Sequence, residues 1–343
     1  MKEKIFKLII TTALILSSSL MAQENQEQGV NFEKTGQSTM TFLQVGIVPE
    51  AVALGDAYSA IGTGVRGMYY NPAGLAEMST RFEVFVSNLE WIADINYLSG
   101  GVAWNFGNYG VVGVNLLTVD YGDIKGTRLL SLDEAGSHPK GYIDTGPVDN
   151  VGAYAIGLMY SKKISNLFSF GVGIRYAVHQ LGQMVLNGAT KNNEMSKLVF
   201  DMGVKYYTPI ESLRLGMTFR NFSTSVRYEE VSTQLPFTFA LGAAMDVMTA
   251  LFPKYTEDHS LLATVEFSHP NNYTERLHMG VEYTLLKALA LRTGYITNHD
   301  VNGLSLGVGL NANIKNTSTQ ISYTYSSTEV FDDVNRFSVL FSF

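Results

Sequence analysis

From Phe82 to the end of the chain, apolar and polar residues alternate with a period of two. In Gly303–Asn313, Leu304, Leu306, Val308, Leu310 and Ala312 share one parity. Gly303, Ser305, Gly307, Gly309, Asn311 and Asn313 share the other. In Arg276–Leu285, Leu277, Met279, Val281, Tyr283 and Leu285 oppose Arg276, His278, Gly280, Glu282 and Thr284. Phe168, Phe170, Val172, Ile174, Tyr176 and Val178 alternate in the same way with Ser169, Gly171, Gly173, Arg175 and His179. A period of two gives a strand one apolar and one polar face. Fourteen such segments follow, at 81–90, 96–105, 109–119, 150–161, 167–178, 196–206, 212–221, 237–247, 259–268, 275–284, 288–296, 303–313, 317–327 and 335–343. Most run about ten residues, enough for a tilted strand to cross a bilayer, where soluble strands average about five or six.

Two further patterns point to a closed barrel rather than a soluble sandwich. Pro139, Pro147, Pro209, Pro236, Pro253 and Pro270 all read as connections, and Pro49 and Pro72 precede the first strand. A closed ladder has no room for proline inside it. Alternate connections differ in length. Those at 120–149, 180–195 and 222–236 are long, whereas GNY, KISNL, YTPIE and LLK are short, 248–258 being the exception. Outer-membrane barrels have short periplasmic turns and longer outer loops. On this reading both termini are periplasmic, loop 120–149 is outside the cell, and an epitope near Ser137 would be exposed. The apolar parity, with Leu306 and Val308, faces lipid, and Ser305 and Gly307 face the lumen.

Ahead of the strands, Thr41–Gly64 reads differently. Pro49 can open a helix, with Ala51, Val52, Leu54, Ala57, Tyr58 and Ile61 as its apolar stripe and Gly62 and Gly64 as its end. Residues 1–22 begin with a basic stretch, continue as a short apolar run and end in Ala22 before polar residues, the form of a secretory signal peptide. Residues 23–80 would then be an N-terminal segment and 81–343 the barrel. The final RFSVLFSF alternates to a terminal Phe343, as in strands handed to the barrel assembly machinery.

Composition narrows the classes. Charged residues make up only 16% and aromatics 12%, whereas about 25% charged is usual for soluble domains. No later segment could form a membrane helix, so a surface that avoids water requires a closed barrel among lipids. The chain has no Cys, which excludes disulfides, thiolate metal sites and an N-terminal lipid anchor. Its net charge is -7, and without the net +2 of Lys2, Lys4, Lys7 and Glu3 it is -9. Nucleic acid is not a partner such a chain would bind.

The stretches TFLQVG, ALGDAYSA and GMYYNPAGLA, followed by NLEWIADINY and GNYGVVGVNLLTVDYGDIKGT, resemble the PorV/PorQ family of outer-membrane proteins. That family is related in fold to FadL, the long-chain fatty-acid transporter. The resemblance covers the first ~125 residues by motif and the rest by pattern. It implies an all-β transmembrane barrel of about 14 antiparallel strands with a partly helical lumenal plug. Gly55, Asp56, Asn71, Pro72, Ala73 and Gly74 would be the plug motif, and Tyr69–Ala76 would join plug to first strand. Asn71-Pro72 sets an extended-to-turn transition, and Gly74 supplies freedom to reverse direction. The chain departs from the family at Pro49-Glu50, where relatives often carry Ala-Arg. Glu50 would then need Arg175, Arg214, Arg276 or Arg292 from the inward parity.

The resemblance implies a component of type IX secretion that binds exported cargo proteins, without catalysis or cofactor. The alternative is FadL-like transport of long-chain fatty acids or other hydrophobic compounds. The inward parity carries charges of both signs: Arg175, His179, Asp201, Lys205, Arg214, Arg220, Glu266, Arg276, His278, Glu282 and Arg292. Such a lumen suits a plugged polar interior, and most of these charges would pair there. For cargo binding, Tyr121, Tyr142, Tyr228 and Arg227 are candidate loop anchors, with the aromatic belt as the other reading of Tyr121 and Tyr228. His138, His269 and His299-Asp300 fall in outer loops without any recurring acid/base spacing, and no spacing suggests a metal site.

Overall fold

The computed structural model describes residues 36–343, except 135–139, 187–188, 211, 252–255, 300–302, 315–316 and 329–330. The signal segment, Ser137, His138, Pro139, Pro253 and Asp300 lie outside the described residues.

The period-two segments form β1 (Phe82–Glu90), β2 (Asn96–Asn105), β3 (Val111–Asp120), β4 (Lys125–Leu129), β5 (Tyr142–Pro147) and β6 (Val151–Lys163). They continue as β7 (Phe168–Leu186), β8 (Ala189–Tyr207), β9 (Leu213–Phe222), β10 (Val226–Tyr228), β11 (Val231–Thr233) and β12 (Thr238–Asp246). The last are β13 (His259–Pro270), β14 (Arg276–Leu285), β15 (Leu289–Ile296), β16 (Leu304–Ile314), β17 (Thr317–Ser326) and β18 (Val334–Ser342). Fourteen of them close in the order β1-β18-β17-β16-β15-β14-β13-β12-β9-β8-β7-β6-β3-β2, and every pairing is antiparallel. Among the described residues no helix is long and apolar enough to cross a membrane. The two faces separate as the alternation requires. Leu304, Leu306 and Leu310 point outward and are about half exposed, whereas Ser305, Ser322 and Thr324 are buried inside.

The β-structure exceeds the expected strands at one rim. Residues 180–195 were expected to be a loop, but β7 and β8 each run 19 residues. Beyond the bilayer a strand needs no apolar face, so Gln180, Gln183 and Met184 pair with Glu194, Asn192 and Lys191 without alternation. A bulge at Gln180–Gln183, with Gly182 at φ 103°, marks the change. The connection between β3 and β6 contains the β4–β5 hairpin, and that between β9 and β12 contains β10–β11. Pro147 lies in the β3–β6 connection, as the last residue of β5, whereas Pro270 is not in a connection but closes β13.

The long helix expected after Pro49 is a single turn, Pro49–Val52. Gly55 (φ 64°) and Asp56 (φ 62°) take left-handed conformations and end it. Two more short helical pieces follow, Gly64–Gly67 and the 3-10 turn Pro72–Glu77. The expected stripe is not one face of a helix. Ala51, Val52, Leu54, Ala57, Tyr58 and Ile61 are all buried because the segment is surrounded by wall. It fills the lumen as a partly helical plug.

The plug enters at the long-connection rim and leaves at the short-turn rim. Ser38 forms a parallel bridge with Gln234, between β11 and β12. At the other rim, the N–H of Arg81 bonds the carbonyl of Phe343 at 2.9 Å, next to the start of β1.

Candidate functional site

The plug is held by inward side chains that take up its backbone groups. Glu266 accepts from the Ser59 N–H at 2.8 Å and Glu83 from the Val65 N–H at 2.9 Å. Thr324 donates to the Pro49 carbonyl (2.6 Å), Ser87 to Ile47 (2.7 Å) and Thr264 to Ala57 (2.9 Å). Irregular backbone has no ladder partner, so a buried plug requires such donors and acceptors from the wall. Two buried ion pairs join them. Lys205 meets Glu77 at 2.5 Å and the Gly62 carbonyl at 3.0 Å. Arg66 meets Glu50 at 2.6 Å, and Ser322 donates to the same carboxylate. Glu50 therefore takes its ion-pair partner from the plug itself, while of the four wall arginines expected to serve it, Arg175, Arg214, Arg276 and Arg292, Arg292 acts on its charge through space. The turn at Arg66 brings it back over the first helix, a contact no strand parity could indicate.

The motif residues serve close packing. Asn71 is extended (φ −145°) before the 3-10 turn and fully buried. Its amide donates to the carbonyls of Ser59 (2.9 Å) and Val204 (3.0 Å), and its Oδ1 accepts from Ala73 N–H (3.0 Å). The Ala73 carbonyl accepts from Ser161 (3.2 Å), and a Cβ at Gly171 would strike Pro72. Gly74 keeps a negative φ; a Cβ there would overlap the Gly62 carbonyl, so close approach and not reversal requires glycine. A Cβ at Gly55 would stand 2.7 Å from the Tyr295 carbonyl.

Several of the inward charges named from the sequence pair. Arg175 meets Asp201 through Nε (2.6 Å) and Nη2 (2.7 Å) and also reaches Asn221. Arg292 meets Glu282 at 2.5 Å. Arg276 lies over the Tyr273 ring at 4.5 Å and donates to the Asn298 carbonyl. Arg214 is partly buried on β9. His269 pairs with Glu275 at 3.0 Å.

Between the plug and the long-connection rim lie two cavities that share Gln44, Val45, Gly46, Asp56, Arg276 and His299. The outer one, about 300 Å³, is walled by Phe42, Trp91, Tyr97, Tyr121 and Tyr273. The inner one, about 80 Å³, is walled by Arg175, Arg220, Asn221, Thr238 and His278. Arg220 has no carboxylate partner among the described residues. It lies 5.1 Å over the Tyr70 ring, and its Nε has no hydrogen bond. Asp56 accepts from the Tyr70 hydroxyl at 2.5 Å. Arg336 backs the same wall, donating to the Gly46 carbonyl at 2.9 Å beneath the Trp91 ring. Tyr121 faces the outer cavity, stacked on His179, rather than the lipid belt. Tyr142 is exposed on β5, and Arg227 donates to the Glu229 carbonyl.

The sequence pattern indicated neither this pair of chambers nor Phe42 and Trp91 as their walls. Inward parity pointed to Arg220, but Phe42 comes from the plug and Trp91, Tyr121 and Tyr273 from connections, where parity says nothing. Beside the inner chamber the β8–β9 ladder is broken. Phe200 pairs Phe222 and Met202 pairs Phe219, which leaves Arg220 and Asn221 (φ 61°) opposite Asp201. The Asp201 carboxylate, not a strand carbonyl, accepts from the Asn221 N–H at 2.9 Å.

No protein family and no curated protein matches the chain. Solved structures do. The Ralstonia pickettii toluene transporter TbuX aligns with TM-score 0.53 and 12% identity over 86% of this chain and 97% of its own. A Pseudomonas aeruginosa FadL homologue aligns with TM-score 0.52 and 11% identity over 87% and 98%. The Pseudomonas putida toluene transporter TodX gives 0.52 and 12% over 87% and 97%. At these identities the likeness is one of fold: a FadL-like, plugged, 14-strand barrel. The narrower PorV/PorQ resemblance gains nothing from these comparisons.

Proposed function

We propose that the protein is a non-catalytic outer-membrane transporter of small hydrophobic or amphipathic molecules. The observation that carries this reading is the pair of joined chambers, aromatic outside and basic inside, above a plug. Pockets for apolar ligands combine such walls with a few placed polar groups. The structural neighbours include channels for toluene, an apolar ring that the outer chamber's five aromatic walls would suit. The inner chamber adds Arg220 and Arg276, so the favoured ligand has an apolar body and one acceptor or anionic group. Type IX secretion, which the PorV/PorQ resemblance implies, receives no support from the comparisons, and the chambers supply no reason to invoke a protein cargo.

The test is uptake of a labelled long-chain fatty acid, and separately of toluene, by cells lacking their own outer-membrane transporter for each. Expression of the protein is expected to raise uptake of at least one. Val45→Trp, which fills both chambers, is expected to abolish the gain while the barrel stays heat-modifiable on gels. No gain over the empty host would overturn the reading. So would normal uptake by Val45→Trp.

A further inference from the structure

An even strand number places the start of β1 and the end of β18 at one rim, but it does not constrain the chain ahead of β1. The described chain starts at the opposite rim. Thr39 donates its N–H to the Gln234 carbonyl at 3.0 Å, and its hydroxyl reaches Met195 Sδ at 3.9 Å, both next to long connections. Gln44 exchanges hydrogen bonds of 3.1 Å with Asn272, just past β13. Only after this does the segment descend past Ser87, Thr324 and Glu266 to Lys205 at the other rim.

From this path we infer that the plug segment is threaded through the barrel from the cell surface inward. Gln37 and Ser38 are on the outer face, and Phe343 is on the periplasmic face. The lumen is filled by Met40–Met78, whose apolar side chains are buried against the wall. The assignment rests on long connections being extracellular. It has a consequence for the chambers: Thr41–Gly46 walls both of them, so a chamber wall is continuous with a segment reachable from outside.

The absence of native cysteine makes the test direct. Gln37→Cys is labelled with a membrane-impermeant maleimide on intact and on lysed cells. Lys140→Cys in the long connection and Asn166→Cys in the β6–β7 turn are the references, both at exposed positions. Heat-modifiable mobility selects folded barrels. Gln37→Cys is expected to label on intact cells together with Lys140→Cys, while Asn166→Cys labels only after lysis. Labelling that follows Asn166→Cys, or no labelling even after lysis, would overturn the inference. An exchange of the two references would show the barrel inserted the other way, and the outer display would fall with it.

Discussion

At the residue scale, the plug shows how a buried amide can fix a backbone path. Asn71 has no exposure, and its side chain satisfies one N–H and two carbonyls on three separate stretches. Asn71→Ala would leave those groups dry and unpaired, at a cost of about 1–3 kcal/mol. The expected outcome is an earlier urea midpoint for loss of the folded gel band; an unchanged midpoint would show that water replaces the amide. His299 makes a second argument. Burial pushes its imidazole down to about 4, and Arg276 adds to the shift. A histidine held below its ordinary value is neutral in the fold. Its contribution to stability is present above about 6.5 and is lost as pH falls toward 4. Above pH 5 His299 therefore adds no positive charge to the chambers. Binding of the fixed-charge aromatic anion 1-anilinonaphthalene-8-sulfonate is expected to be the same for the protein and for His299→Gln between about pH 8 and 5. Arg220→Gln is expected to weaken it at every pH in that range. A rise between pH 7 and 6 that His299→Gln abolishes would identify His299 as the binding group instead.

At the element scale, a strand's two faces answer to different surroundings. Leu306 is 49% exposed to lipid, where an arginine costs about 2–4 kcal/mol near the midplane. Ser305 is buried, bonded to Ser326, which Arg336 also reaches. Because the plug fills the lumen, Ser305→Arg would overpack it, so Ser305→Ala is the proper control. Leu306→Arg should sharply reduce the heat-modifiable band, and Ser305→Ala should leave it close to normal. Equal yields would sink the face assignment. The fourteen strands were legible from sequence because a bilayer enforces alternation wherever a strand crosses it. The overshoot of β7 and β8 was not legible, since Lys191–Glu194 pairs in water, where neither face must be apolar. The single-turn helix at Pro49 was misread for a related reason. A segment buried on all sides has no polar face, and an all-round apolar sequence does not reveal that Gly55 and Asp56 turn left-handed.

At the scale of the whole molecule, fourteen strands enclose more space than their own side chains fill. About eight strands close over a core of side chains, and sixteen to eighteen leave an aqueous channel. Here the plug occupies the difference, and the wall is built for it. Glycines at 216, 280 and 294 leave room for plug backbone, where a Cβ would collide with Ser59, Leu54 or Gly55. Lys205, Glu266 and Arg336 are buried only because the plug covers them. The hydrogen-bonded wall closes through β1–β2 and β1–β18 without using a plug residue. Deleting Gly36–Met78 should therefore leave a closed ladder, with water replacing the plug around those charges. The stability lost should be the buried contacts, while the space gained should conduct. In planar bilayers the truncated barrel is expected to give a large, steady conductance where the full chain gives little. Cells carrying it should become sensitive to antibiotics too large for the intact outer membrane. A truncated barrel that folds, by heat-modifiable mobility, yet does not conduct would mean that the wall collapses on itself, and that the plug is a structural strut before it is a barrier.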